Sequence, residues 1–389
     1  MRAEARRTLW LHTGTWKTGS TALQAHLKFN RERLAAQGVS YEFHPNTDEW
    51  EGNGTFLTRT LLGRHVAIGV LTGMLETHLA ARPVGICSSE NFTSFGHGEW
   101  AQLLDAAAHL GVQVRTITYL RDVAPYYQSM HAQAFKAGEH YCDLATFCAV
   151  NSYATVLDSL RTLHEQLGRD AMTVVRYESV SDAVDAPLMA ALALQPGLLD
   201  ASMLAKRINR SLTNYEMKIL ARLVEKTGQQ FANEIANLLL KKRPDLEPDH
   251  LLDQAILQRL EERHRQDVRW INDTFFAGAE VLKVFAGPID LQSTRAASDG
   301  AEQAIDRDVA AWCIDKLATI QDTAVSFVAE KMASIDWVNI TDPAVPLDFD
   351  PIAYLIQNVD VLKAGVPPCA HYIASGQHNP ARRWRWESR

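Results

Sequence analysis

The stretch Thr8-Leu9-Trp10-Leu11-His12-Thr13-Gly14-Thr15-Trp16-Lys17-Thr18-Gly19-Ser20-Thr21 decides how this chain folds. Residues 8 to 13 form a short apolar run that reads as a buried strand. From Ser20 to Gln37, Leu23, Leu27 and Leu34 recur near helical spacing, and Gly38 is a natural stop. A strand that turns into a helix through a glycine-containing loop points successive backbone N–H groups, and the positive end of the helix dipole, at one anion. Lys17 adds a full charge, and Ser20 and Thr21 add hydroxyl donors. A loop of this composition can also be merely a turn, and the flanking strand and helix are what favour a phosphate cradle. Lys17 precedes Gly19, whereas in the GxxxxGK[ST] loop of nucleotide triphosphatases the lysine follows the second glycine. No strand ends in the aspartate such enzymes use to hold Mg2+, so a kinase is the weaker reading.

Outward from this loop, further strands are expected at 39 to 43, 84 to 89, 114 to 120 and 172 to 177, with helical patterns between most of them. Such alternation predicts an α/β chain: a three-layer, P-loop-like fold with a mostly parallel central sheet and ligands at the carboxyl ends of the strands. One domain is expected over residues 8 to 285, its part from 187 to 285 mainly helical. A Gly-, Ser- and Pro-containing linker at 286 to 300 and a small, mainly helical C-terminal region at 301 to 389 follow.

With 389 residues, 47% of them apolar, the chain can bury a substantial core. Its net charge of −7 gives no general attraction to nucleic acid, so any anion site must be a local cluster of Lys and Arg. Cys87, Cys142, Cys148, Cys313 and Cys369 are odd in number and scattered, which argues against a disulfide framework and against a structural metal site. The apolar run near the N-terminus is too short for a signal-peptide core, and nowhere do 18 apolar residues run together. A cytoplasmic chain without a transmembrane segment is expected, with at most peripheral membrane contact.

A second strand-to-helix junction reads Tyr119-Leu120-Arg121-Asp122-Val123-Ala124-Pro125-Tyr126-Tyr127-Gln128-Ser129. An Arg at a strand end and a Ser two helical turns later can converge on one phosphate through a bidentate guanidinium and a hydroxyl. Alone, Arg121 would more often be a surface ion-pair partner.

The segment Gly14 to Gln24, GTWKTGSTALQ, resembles the 5'-phosphosulfate-binding loop of the PAPS-dependent sulfotransferases, especially their carbohydrate-modifying and bacterial members. Arg121 and Ser129 resemble the same family's 3'-phosphate motif, although Val123 stands where Pro is common. The resemblance covers roughly residues 8 to 285. It implies 3'-phosphoadenosine-5'-phosphosulfate (PAPS) as donor and adenosine 3',5'-bisphosphate (PAP) as product. Gly14, Thr15, Trp16, Lys17, Thr18, Gly19, Ser20 and Thr21 would then surround the 5' end, with Lys17 at the bridging oxygen. The acceptor is expected to be a hydroxyl or amine, of a carbohydrate or glycoconjugate. A small-molecule kinase and a non-catalytic glycan-assembly protein remain the alternatives.

Sulfuryl transfer needs a group to take the acceptor's proton. Glu90, directly after the strand at 84 to 89, is the first candidate; its competing role is a helix cap. The family also places a base on the strand after the first helix, which points to Glu42 or to His44, and His44 can equally be an ordinary surface histidine. RINRSLTNYEMKIL resembles a segment of bacterial sulfotransferase-like proteins in which a basic loop precedes a helix, which implies that Arg207, Asn209 and Arg210 close over the nucleotide; a solvated helix start capped by Ser211 or Thr213 fits them as well.

Residues 349 to 384 resemble a short module found beside glycosyltransferases in bacterial polysaccharide-synthesis proteins, matching at Phe349, Asp350, Tyr354, Leu355, Asn358, Asp360, Val361, Gly365, Pro368, His371, Tyr372 and Gly376. Val359 stands where Pro is common. Core packing is expected of Tyr354, His371 and Tyr372. The final ARRWRWESR either grips an anionic partner by charge and stacking or frays.

Overall fold

The computed structural model describes residues 7–44, 52–139, 141–195, 197–203, 210–227, 231–246, 251–286, 299–334, 344–346 and 349–378. It divides into two compact units, Met1–Glu302 and Gln303–Arg389. Among the described residues no helix is long and apolar enough to cross a membrane. All five cysteines are free thiols.

The first unit is α/β. Its strands are β1 (Arg7–His12), β2 (Val39–Ser40), β3 (Val84–Ser88), β4 (Val112–Leu120) and β5 (Met172–Arg176), in the order β2-β3-β1-β4-β5. Every pairing is parallel. The helices up to β5 are α1 (Ser20–Phe29), α2 (Arg31–Ala36), α3 (Thr55–Leu61), α4 (Ile68–Leu79), α5 (His97–His109), α6 (Val123–Ala137), α7 (Leu144–Val150) and α8 (Ala154–Leu167). After β5 the chain is helical, with α9 (Ala186–Ala191), α10 (Asn214–Thr227), α11 (Ala232–Lys242) and α12 (Gln254–Phe275).

Alternation along the strands builds the layers, because successive side chains point to opposite faces. In β1, Leu9 and Leu11 join a core with Leu75 of α4, Trp100 of α5, Leu160 of α8 and Ile271 of α12. Trp10 points the other way, into a core with Leu23 and Leu27 of α1, Leu34 of α2 and Leu188 of α9. The sheet is thus buried on both faces, as parallel sheets require. His12, two residues after Trp10, falls on the α1 side. Because β1 is flanked by β3 and β4, the strand order reverses beside β1, and the crevice at its carboxyl end is where such sheets take ligands.

Two local expectations are corrected. The helix expected from Ser20 to Gln37 breaks at Asn30, whose side chain donates to the carbonyls of His26 and Asp200 at 3.0 and 3.2 Å and accepts from the Asp200 amide at 2.8 Å. The strand expected at 39 to 43 stops at Ser40, because Asn53 plugs the edge of β3 that a longer strand would pair with: it donates to the Ile86 carbonyl at 2.7 Å and accepts from the Ser88 amide at 2.8 Å.

The linker expected at 286 to 300 lies almost wholly outside the described residues, as does the terminal ARRWRWESR. The 36-residue α13 (Asp299–Ser334), most of which belongs to the second unit, precedes α14 (Pro351–Gln357), α15 (Val359–Ala364) and α16 (Pro368–Ala374). The module residues here do structural work. Asp350 caps α14 by accepting from the amides of Ile352 and Ala353 at 2.9 and 3.0 Å. Fully buried Tyr354 shares a 2.7 Å hydrogen bond with His371 Nδ1 and packs with Leu355, Val361, Leu362 and Tyr372. Gly365 takes the left-handed conformation that ends α15.

Candidate functional site

The loop from Thr13 to Gly19 is held from within. Thr15 Oγ1 donates to the Tyr119 carbonyl at 3.0 Å and Thr18 Oγ1 to the Thr15 carbonyl, so both hydroxyl protons are spent on shaping the loop. These two residues have only their backbone N–H groups left to donate to an anion. Gly19 (φ 77°) and, unusually for a residue with a side chain, Lys17 (φ 68°) adopt left-handed backbone. That conformation costs a non-glycine residue roughly 1 to 3 kcal/mol and persists where the surroundings dictate it. Gly14 has to be glycine for lack of space: a Cβ there would lie 2.6 Å from Ser20 Oγ and 2.7 Å from His12 Nε2. Ser20 is buried, Thr21 is exposed, and Trp16 is 43% exposed on the rim.

Lys17 Nζ donates to Gln133 Oε1 of α6 at 3.4 Å. Burial lowers the Lys17 pKa from its usual 10.5; Glu90 opposes that shift, and Lys136 and Arg121 reinforce it. Glu90 opens a short 3-10 turn, Glu90–Ser94, at the end of β3. Burial pushes its carboxyl above the ordinary carboxylate range, while the Ser20 hydroxyl and the Lys17 charge pull it back. Ser20 Oγ, though near Glu90, completes no hydrogen bond within the described chain, and neither does His12 Nε2. Both are buried polar atoms beside the cradle. Glu90 is not a helix cap: the turn is capped by Ser89, which accepts from the Asn91 amide at 3.3 Å.

Arg121 comes to the same place from the end of β4. Its Nη1 donates to the Lys17 carbonyl at 3.2 Å, and its guanidinium lies 5.5 Å from the centroid of the Tyr177 ring. Glu178 Oε1 stands 3.3 Å from Arg121 Nε, out of line for a hydrogen bond. Burial, with Asp122 next in effect, raises the Glu178 carboxyl. Asp122, the acid following Arg121, is committed elsewhere, to Arg176 and to the Lys283 amide at 3.0 Å. Buried Ser129 lies on α6 one turn before Gln133 and two before Lys136, so the three share a stripe whose middle member touches Lys17. Among the described residues no group of three His, Cys, Asp or Glu could hold a metal ion.

The other sequence candidates sit differently. Glu42 is paired with Arg82 at 3.2 Å and Arg31 at 3.8 Å, and His44 lies flat on Phe56, ring centroids 5.4 Å apart. Arg210 is corrected outright. Buried at 7% exposure, it spends its five N–H donors on both Glu216 carboxylate oxygens and on the carbonyls of Arg243, Ser211 and Leu239, leaving none for a nucleotide. Arg207 and Asn209 lie outside the described residues. Replacing Arg210 with alanine would strand the fully buried Glu216, so the variant is expected to lose about 3 to 5 kcal/mol of stability. Chemical denaturation checks this, and nucleotide affinity of the folded fraction should stay at the wild-type value.

Sequence reasoning missed His12, Gln133 and Lys136. His12 Nδ1 lies 2.7 Å from Ser88 Oγ, which also accepts from Gln24 Nε2 at 3.0 Å; burial holds the ring neutral, with a pKa down at about 4. The period-two alternation from Trp10 was the available signal for His12, and the i, i+4, i+7 spacing from Ser129 was the signal for the other two.

No family model matches the chain, and no curated protein matches it. Among solved structures, a sulfotransferase from Alicyclobacillus acidocaldarius is similar over 58% of this chain and 95% of its own, at 12% identity and a TM-score of 0.34.

Proposed function

We propose that this chain transfers a sulfuryl group from PAPS to a hydroxyl or amine, most fittingly of a carbohydrate. The observation that carries the reading is the 3.2 Å hydrogen bond from Arg121 Nη1 to the Lys17 carbonyl, which joins two separate cation centres into one site at the carboxyl ends of β1 and β4. A nucleotide phosphorylated at both its 5' and 3' ends is the ligand such a pair suits. The loop amides, Lys17 and the buried Ser20 hydroxyl would hold the 5' end. Arg121, whose Nη2 gives no hydrogen bond to a described residue, and Ser129 would hold the 3' phosphate. Lys17 donates toward the oxygen that gathers charge as the bond to sulfur breaks, and Glu90 accepts the proton of the attacking group. Carbohydrate is favoured as acceptor by the likeness of residues 349 to 384 to polysaccharide-synthesis modules.

Arg121→Ala tests the donor site. Hydrogen bonds to charged groups contribute about 1.5 to 3 kcal/mol, so the dissociation constant for PAP should rise roughly 10- to 150-fold. A variant that holds PAP as tightly as wild type would show the 3'-phosphate assignment to be wrong.

A further inference from the structure

A cavity of about 260 Å³ opens beside the phosphate loop, walled by Trp16 on the loop, Thr93 on the 3-10 turn, Tyr126 on α6, Phe147 on α7, and Asn151 and Thr155 beyond it. Thr93 follows Glu90 by three residues in that turn, and side chains three apart on a 3-10 helix eclipse one another, so the cavity and the Glu90 carboxyl share one side. The cavity is thus walled in part by the loop that carries Lys17 and by the turn that carries Glu90.

Its size and lining are selective. Pockets for drug-sized ligands run from about 300 Å³ upward, so this one suits a single ring-sized unit. None of its lining side chains is charged. A carboxylate or sulfate placed inside would lose its water with no cation to replace it. The polar groups of the lining are hydroxyls, among them those of Thr93, Tyr126, Ser152 and Thr155, and one amide, that of Asn151. Thr93 Oγ1 donates its proton to the Glu90 carbonyl at 2.8 Å and Asn151 Nδ2 donates one proton to the Phe147 carbonyl at 3.1 Å, which leaves the Thr93 oxygen as an acceptor and the Asn151 amide as both donor and acceptor. Several neutral hydroxyl and amide groups beside aromatic faces match a ring that carries several hydroxyls, each both donor and acceptor, and an apolar C–H face; a phenol, with one hydroxyl, would leave most of them unmet.

We infer that this cavity is the acceptor subsite and that it takes one uncharged sugar ring, stacked on Trp16, in preference to an acidic or already sulfated one. The inference rests on the sulfuryl-transfer reading for its chemistry, but not for its binding.

The test is ligand-observed NMR on the full chain with methyl β-D-glucoside, the methyl glycoside of N-acetylglucosamine, methyl β-D-glucuronide and tyramine, with PAP affinity measured on the same samples. At least one neutral glycoside should bind, and at least tenfold more tightly than the glucuronide. Thr155→Trp, at an exposed wall position, should weaken that binding tenfold or more at an unchanged melting temperature. Thr155→Arg, which adds the missing cation, should narrow the gap to the glucuronide. Equal binding of the glucuronide, insensitivity to Thr155→Trp, or binding of tyramine while no glycoside binds would overturn the inference. If glycosides bind as described but PAP does not, the donor reading falls and the sugar site stands; the converse removes the sugar site alone.

Discussion

Replacing Lys17 with alanine should slow sulfuryl transfer by about 10²- to 10³-fold, roughly 3 to 4 kcal/mol, the usual loss when one preorganised donor to a developing charge is removed. The ammonium is held by Gln133 and drawn by Glu90, within a loop whose backbone accepts a left-handed lysine to place it. The alanine variant keeps that unfavourable backbone, so its stability should change little while turnover falls. Single-turnover kinetics with saturating PAPS isolates the chemical step. A folded Lys17→Ala protein with unchanged turnover would remove Lys17 from the mechanism.

The second large effect concerns Glu90. Removing a general base costs about 10²- to 10⁴-fold, so Glu90→Gln should lose turnover in that range. The pH dependence of kcat/KM carries the more specific signature, because it reports groups of the free enzyme. With Glu90 as the proposed base, activity should need it ionised, so the rate should rise with pH through its pKa, which burial has moved above the ordinary carboxylate value. With Lys17 as the proposed donor to the leaving group, activity should also need it protonated, so the rate should fall as pH passes a Lys17 pKa lowered from 10.5. In Glu90→Gln the acidic limb should vanish. The alkaline limb should move to lower pH, since the carboxylate that supports the Lys17 charge is gone. An acidic limb that survives the substitution assigns the base to another group.

The first strand, its loop and the first helix could be read from sequence because periodicity changes from two to 3.6 across two glycines, and because apolar runs of strand length separate the helices. Glu90 and Arg121 could be placed for a related reason: both directly follow strands, and parallel strands deliver their carboxyl ends to one edge. What sequence concealed was competition for the same polar groups. Arg210 resembled a nucleotide ligand until Glu216, six residues away, took its guanidinium. Thr15 and Thr18 looked like phosphate donors, yet their protons turn inward to loop and strand carbonyls. Asn30 and Asn53 ended a helix and a strand through bonds to residues as far off as Asp200 and Ile86. Glu178 reaches Arg121 from 57 positions along the chain, which no local pattern announces.

Calorimetric titration of the wild-type chain with adenosine 3',5'-bisphosphate and with ADP, in the absence of divalent cations, tests the central claim most directly. If the Lys17 loop and Arg121 hold opposite ends of one nucleotide, the 3'-phosphorylated compound should bind at least tenfold more tightly than ADP. Equal affinity for the two, or tight ADP binding that requires Mg2+, would contradict the account.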